Sequence, residues 1–395
     1  MSTDARDYRI PTIDILRGLV IVIMALDHVR DYVMIGGIQD PAASASTDLP
    51  LFLTRWVTHF CAPVFVFLAG ASAGLMSTRR THAALGRFLL ARGLWLVVME
   101  ATVVSLAWTF APTGVAEFGG AVLVALGVIW AIGASMVALA ALQWLGRRTC
   151  LVLALGIVLG HNLLDGVWPA TTGMFDLTPP WWVGLHAQLS RVIGPFLVVN
   201  VYPLLPWLGV MLLGFGSSGV FDDVAARRDR RLLAWGAAAT LAFLVIRATG
   251  VYGDPDPWRV QGVASTVIDF LNVTKYPPSL LFVLMTLGPA AMFCAVAGRL
   301  PAALARPLAT FGRAPFAFYM AHLYLIHLVA MGLGVAQGFV PGAFLTFFAF
   351  FPKGYGVGLP GTYLIWVLVV LALYPLCAWV AGVKARRRDW WLSYL

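Results

Sequence analysis

The chain has 395 residues, of which 60% are hydrophobic and only 11% charged, and its mean hydropathy is +0.85. That leaves too little polar surface to keep a folded chain dissolved in water, so a soluble globular fold is excluded and lipid must surround most of it. The formal net charge of +9 arises from Lys and Arg gathered in short clusters between apolar runs, which is a topology signal and excludes nucleic acid as the partner.

Runs long enough to cross a bilayer at a rise of about 1.5 Å per residue predict ten transmembrane helices near 11–34, 51–76, 84–110, 119–144, 150–168, 195–217, 231–249, 277–298, 309–336 and 361–383. The expected fold is an all-α polytopic helix bundle forming one domain over residues 1–395. Positive charge falls on alternate loops: Arg6 and Arg9; Arg79, Arg80, Arg87 and Arg92; Arg147 and Arg148; Arg227, Arg228, Arg230 and Arg231; Arg299, Arg306 and Arg313; Lys384, Arg386, Arg387 and Arg388. Such loops face the cytoplasm, so both termini are expected there. The opposite side carries the long aromatic connections 169–194 and 250–276, with Trp181, Trp182, Tyr252 and Trp258, and a stretch, 337–360, whose KGYGVGLPG end is read as re-entering the membrane edge. Connections of this length in a membrane protein are usually functional or packed lids.

The basic start, the apolar run Gly18–Leu26 and the small residues at Ala42–Ser46 imitate a cleavable signal peptide, but Asp27, His28, Arg30 and Asp31 separate the run from those small residues by too much for one. Ionisable groups inside a membrane are expensive, so each is a functional candidate. Arg17 and His28 are eleven residues apart, which returns to within about 20° of one helix face and separates them by about 16 Å along the axis. With Asp14 they form a polar stripe; the plainer alternative is a helix-interior salt bridge with a buried histidine. His59, one turn after Arg55, sits at a depth matching His28, so the two imidazoles are expected to face each other. His161 and Asp165, four apart, are expected in hydrogen-bonding reach. Tyr319 and His322 share a face that His327 does not, which favours His322 as a site residue. Asp27, beside His28, joins this supporting polar set. Histidine suits acid/base work near neutrality.

No metal site is expected: there is no HExxH, and Cys61, Cys150, Cys294 and Cys377 lack CxxC spacing and any disulfide pattern. Gly70-Ala71-Ser72-Ala73-Gly74 fits GxSxG but lies within a helix, so Gly70 and Gly74 read as a close-packing GxxxG pair. The roles of Glu100 and His327 stay open. Asn272 to Ser279 opens the eighth helix with Pro277, Pro278 and Ser279, and its free N–H groups beside Lys275 could hold an anion or an acyl oxygen.

The segments RIPTIDILRGLVIVIMALDHVRDYV, THFCAPVFVFLAGASAGL, LPWLGVMLLGFG, LNVTKYPPSLLFVLMTLG and FGRAPFAFYMAHLYLIH resemble the bacterial membrane proteins related to the catalytic domain of heparan-alpha-glucosaminide N-acetyltransferase. Arg17 and His28 also match the Arg-x10-His pattern of wider membrane acyltransferases, in which the histidine is regarded as catalytic and the arginine as supporting the acyl donor. The chain departs from the lysosomal enzyme, which has asparagine at the position of His28, and His59 stands at what resembles an aspartate position before Pro63. The resemblance implies a bacterial cytoplasmic (inner) membrane location and a transferase that moves an acyl group, most simply acetyl, from cytoplasmic acyl-CoA (acetyl-CoA) to a hydroxyl or amine of an extracytoplasmic sugar or glycan.

In that reading Arg17 and Arg313 meet the phosphates or pantetheine arm, His28 aided by His59 or His322 deprotonates the acceptor, and Lys275 or the helix start at Ser279 stabilises the oxyanion. An acyl-histidine intermediate stays open. The rival from another class is a proton-coupled transporter or exporter built on the same polar residues. The expected partners are the lipid bilayer, acyl-CoA and a sugar or glycan acceptor; a homodimer stays open.

Overall fold

The computed structural model describes residues 10–36, 48–166, 184–387, 389 and 392; Trp181, Trp182, Arg6, Arg9 and Arg388 lie outside the described residues. Pro11 starts α1 (Pro11–Val33) at a position where a missing N–H costs nothing. The Asp48 carboxylate caps α2 (Leu49–Thr58) by accepting the Leu51 N–H. After a break at His59 and Phe60, α3 (Cys61–Ser77) completes the same span. α4 (His82–Met99) runs through a π-turn at Glu100–Val104 into α5 (Ser105–Thr109). Then come α6 (Val128–Leu142), α7 (Gly146–Gly160), α8 (Leu204–Ser217), α9 (Ala225–Thr249), the short α10 (Val263–Leu271), α11 (Leu280–Val296), α12 (Ala302–Arg313), α13 (Pro315–Ala336) and α14 (Leu359–Arg386).

Among the described residues, eight helical stretches are long and apolar enough to cross a membrane. One of them, Val128–Leu164, is broken at Gly146, whose φ of +81° no helix accommodates. α6 packs antiparallel to α4 and α7 antiparallel to α8, so the stretch folds back into two crossings. α1 matches the others in length but carries too many charges to count by hydropathy. Each of the ten expected segments therefore has a helical counterpart, and the architecture is a polytopic all-α bundle.

Four boundaries differ from expectation for local reasons. Residues 119–126 and 195–203 are not helical: β1 (Val122–Leu126), β2 (Leu189–Ile193) and β3 (Phe196–Asn200) form a small sheet in the order β1-β3-β2, with β1 parallel and β2 antiparallel to β3. The span expected at 150–168 ends as an α-helix at Gly160 and tightens into a 3-10 turn over His161–Leu164. The one expected at 309–336 is two helices, broken at Ala314 because the residue before a proline avoids the helical region.

Small residues set the helix crossings. A Cβ on Gly70 would overlap the Met211 carbonyl, one on Gly74 the carbonyl of Phe215, and one on Gly214 the carbonyl of Phe67. α3 and α8 thus lie backbone to backbone, as the Gly70/Gly74 pair implies. Gly18 and Gly312 do the same for α1 and α12, facing the carbonyls of Leu308 and Asp14.

Candidate active site

The stripe on α1 points into the protein. Asp14 and Arg17 line a cavity of about 630 Å³ at the end of the bundle where α1 and α12 meet. His28 lines a second cavity of about 350 Å³ at the opposite end. Phe65, Val128 and Tyr319 belong to the walls of both, so these three side chains lie between the two cavities.

The first cavity has a basic mouth. Arg17, Arg92, Arg313, Lys384 and Arg387 line it, against the two carboxylates of Asp14 and Asp389. Arg17 Nη1 donates to Asp14 Oδ1 and to the Gly312 carbonyl, each at 3.2 Å, and Arg313 Nε lies 3.7 Å from Asp14 Oδ2. The Lys384 ammonium donates to the Arg313 carbonyl. Five cations against two anions leave net positive charge at this opening, which suits a phosphorylated ligand. Sequence reading had Arg17 and Arg313 but took Arg92, Lys384 and Arg387 as topology charges; only the packing of the bundle brings α4 and the end of α14 to the same opening.

At the other end, the His28 and His322 rings meet. His28 Nδ1 is 2.7 Å from His322 Nε2, and His322 Nδ1 faces the carbonyl oxygens of Tyr319 and Phe318. A carbonyl can only accept, so His322 carries its proton on Nδ1 and accepts at Nε2 from His28 Nδ1–H. That assignment leaves the lone pair of His28 on Nε2, as a general base requires. Trp108 packs edge-to-face on the His28 ring, with centroids 5.2 Å apart, and fixes its plane. The expectation that His28 faces His59 is corrected: His59 is buried at the α2/α3 break and tilts against Phe282, 5.5 Å between centroids. Matched depth on two helices does not set their rotation, and α13 rather than α2 presents the partner ring.

Buried charges surround the pair. Asp27 accepts from Arg55 Nη1 at 2.7 Å and lies 3.3 Å from Arg30 Nη2, which also donates to Asp31 at 2.6 Å. Glu100, fully buried and lining the cavity, accepts the Gly127 N–H at 2.9 Å, and a Cβ at 127 would collide with that carboxylate. The π-turn that carries Glu100 is held by Ser105 Oγ, which donates to the Glu100 carbonyl and accepts the Ala125 N–H. Lys275 lines the same cavity, its ammonium 5.0 Å from the Tyr276 ring centroid. One wall is the sheet: Leu123 and Ala125 on β1, Leu197 and Val199 on β3, and Ser190, paired with Val199, on β2. The stretch 337–360 supplies Phe347, Phe348 and Phe350 to the wall, and its Gly-rich end bonds the end of α1, Val357 N–H to the Val33 carbonyl at 2.8 Å.

Two other expectations change. The start of α11 cannot hold an anion, because its N–H groups are already used: Leu280 donates to Asn162 Oδ1, Leu281 to the Gly253 carbonyl, Phe282 to Ser279 Oγ and Val283 to the Ser279 carbonyl. Ser279, fully buried, donates its hydroxyl to Asp254 Oδ2 at 2.6 Å; burial pushes the Asp254 carboxyl up, and the bonds from Ser279 and the Thr274 N–H pull it back. Ser279 is therefore a cap, and among the two residues expected there only Lys275 faces the cavity. Asp165 does not bond His161 as an i,i+4 pair, because the 3-10 turn redirects both: His161 Nδ1 meets His186 Nε2 at 3.1 Å, and Asp165 accepts from Asn162 Nδ2 at 2.8 Å. His327 has both nitrogens against backbone carbonyls, those of Ala107 (2.9 Å) and Phe344 (2.7 Å), a packing role consistent with preferring His322.

Comparison with curated proteins returns no match. The family model described as the catalytic domain of heparan-alpha-glucosaminide N-acetyltransferase matches residues 9–251, a segment that carries Arg17, His28, Glu100 and Trp108 but not His322 or Arg313. The match spans more than half of the chain, which therefore belongs to the heparan-alpha-glucosaminide N-acetyltransferase catalytic-domain family of membrane acetyltransferases.

Proposed function

We propose that the protein is an acyl-CoA-dependent membrane acyltransferase, moving an acyl group, most simply acetyl, from cytoplasmic acyl-CoA to a hydroxyl or amine of an extracytoplasmic sugar or glycan. The observation that carries this reading is the pair of adjoining cavities that share Phe65, Val128 and Tyr319 as wall, one with a basic mouth and the other with a histidine pair. A donor with a phosphorylated head and a long narrow arm would place the head against Arg17, Arg92, Arg313, Lys384 and Arg387, the arm past the three shared side chains, and the thioester toward His28. The loop charges favour an orientation with the basic mouth in the cytoplasm of a bacterial inner membrane.

His28 Nε2, with its lone pair fixed by the His322 bond, takes the proton from the acceptor's hydroxyl or amine as that atom attacks the thioester carbon. The developing positive charge on His28 is shared with His322 through the 2.7 Å bond and sits near the Asp27 carboxylate, which lines the same cavity. Lys275 is the cationic group at hand for the negative charge that develops on the carbonyl oxygen. The proton on His28 then passes to the departing thiolate. The apolar sheet wall and the Phe347–Phe350 stretch exclude water that would otherwise hydrolyse the donor.

The test is acetyl transfer from acetyl-CoA by purified protein in detergent or liposomes, with acetyl-CoA binding read separately as a rise in melting temperature. His28→Ala is expected to lower transfer by at least about a hundredfold while keeping the stabilisation by acetyl-CoA. Wild-type protein that acetyl-CoA does not stabilise, or a variant that still transfers at the wild-type rate, would sink the reading.

A further inference from the structure

Beyond both cavities, three ligand-type residues converge where α7 gives way to its 3-10 turn: His161, His186 and Asp165 each present one ligand atom, a ring nitrogen or a carboxylate oxygen, all within 4.8 Å of one another. His161 and His186 are buried, and Asp165 is half-buried, leaving an approach from one side. His186 Nε2 is 3.1 Å from His161 Nδ1 and 3.6 Å from Asp165 Oδ1. The first distance is a hydrogen bond between the rings, whereas the second is beyond hydrogen-bond reach and leaves the carboxylate oxygen beside the pair. A cation among the three atoms takes all three lone pairs at once.

The dimensions suit a small divalent transition metal. With metal–nitrogen distances of about 2.0–2.1 Å and metal–oxygen distances of about 2.0–2.2 Å, tetrahedral ligand atoms stand roughly 3.3 Å apart. The observed 3.1 and 3.6 Å bracket that edge. A shell behind the ligands is also in place. Asn162 Nδ2 donates to Asp165 Oδ2 at 2.8 Å, which orients the carboxylate and leaves Oδ1 for the cation, while Asn162 Oδ1 accepts the Leu280 N–H at 2.9 Å and ties that carboxylate to the start of α11.

We propose that His161, Asp165 and His186 bind one Zn2+ through two imidazole nitrogens and one carboxylate oxygen, with a fourth position open to water. The ion is a clamp rather than a reagent. It joins the end of α7 to the segment around His186 that leads into β2 and β3, whose Ser190, Leu197 and Val199 wall the histidine cavity. Zinc binding therefore holds that wall in register with the start of α11. This departs from the expectation of no metal, because the ligands lie in separate segments and no spacing rule connects them.

The experiment titrates Zn2+ alone into chelator-stripped full-length protein in detergent, reading bound metal per chain, melting temperature and the visible absorption of a Co2+ substitute. Wild type is expected to take one zinc per chain, to gain melting temperature on binding, and to give Co2+ bands of tetrahedral intensity. His186→Ala and the isosteric Asp165→Asn are expected to weaken zinc binding by more than tenfold, and Asn162→Ala by about tenfold through the lost support. If His186→Ala does not fold, Asp165→Asn with the Co2+ spectrum decides. Wild type that binds no zinc, or an Asp165→Asn protein with unchanged affinity and an unchanged Co2+ spectrum, overturns the proposal.

Discussion

The two cavities in the bundle are held in different ways. The basic end relies on long side chains whose pairs are loose, such as Arg313 to Asp14 at 3.7 Å with the Arg313 side chain 43% exposed. The histidine end is fixed by short bonds between buried groups, with His322 fully buried and tied at both ring nitrogens. Exposed flexible cations suit capture of a charged ligand, and a locked imidazole pair suits proton transfer at a set position. Binding is therefore expected to reside at one end and chemistry at the other.

The sharpest break of that contrast is at His28. His28→Ala is expected to lower turnover by about 10²–10⁴-fold, the usual worth of a general base, with little change in the donor concentration for half-maximal rate. Steady-state acetyl transfer at varied acetyl-CoA checks it; an effect confined to KM would erase the distinction between the ends. Gly18→Leu on α1 should strike both ends together, because its side chain would be driven into the Leu308 carbonyl of α12. Overpacking of this kind costs about 1–3 kcal/mol or more, read as a lower melting temperature and a lower yield of folded protein. Arg17→Ala is expected to raise KM for the acyl donor about tenfold, roughly 1.4 kcal/mol of lost binding, with kcat nearly unchanged. Equal losses in kcat would place Arg17 with the chemistry instead. The smallest effect is expected at the shared wall, where Tyr319→Leu shortens a side chain that both cavities share; it should shift preference toward longer acyl chains by a few fold, about 1 kcal/mol, measured by competing acetyl-CoA against butyryl-CoA.

The helix crossings were readable because run length and loop charge report directly on a bilayer about 30 Å thick. Arg17, Asp14 and His28 were readable as one stripe because helix periodicity alone puts them on a face. What escaped depends on rotation and on distant neighbours. Nothing in the α1 or α2 sequences chooses His322 over His59 as the partner of His28, since the two partners lie 294 residues apart. The start of α11 reads as an open anion site until Asn162 and Gly253 arrive to use its N–H groups. β1 was hidden inside an expected helix because Val122-Leu123-Val124-Ala125-Leu126 is apolar on both faces and so shows no alternation. Glu100 stood out as a buried charge, but the π-turn that aims it has no sequence signature.

The small sheet has a consequence for how this scaffold diversifies. Its strands send every second residue toward the histidine pair, while the intervening ones, such as Val124 and Val198, point away. The contour of the histidine cavity can therefore be redrawn at Leu123, Ala125, Leu197 or Val199 one at a time, and because Leu123 and Leu197 pack in one cluster with Trp108, an exchange there is felt at the His28 ring as well. Ala125 and Val199 sit against that cluster rather than within it, so they are the gentler places to reshape the cavity.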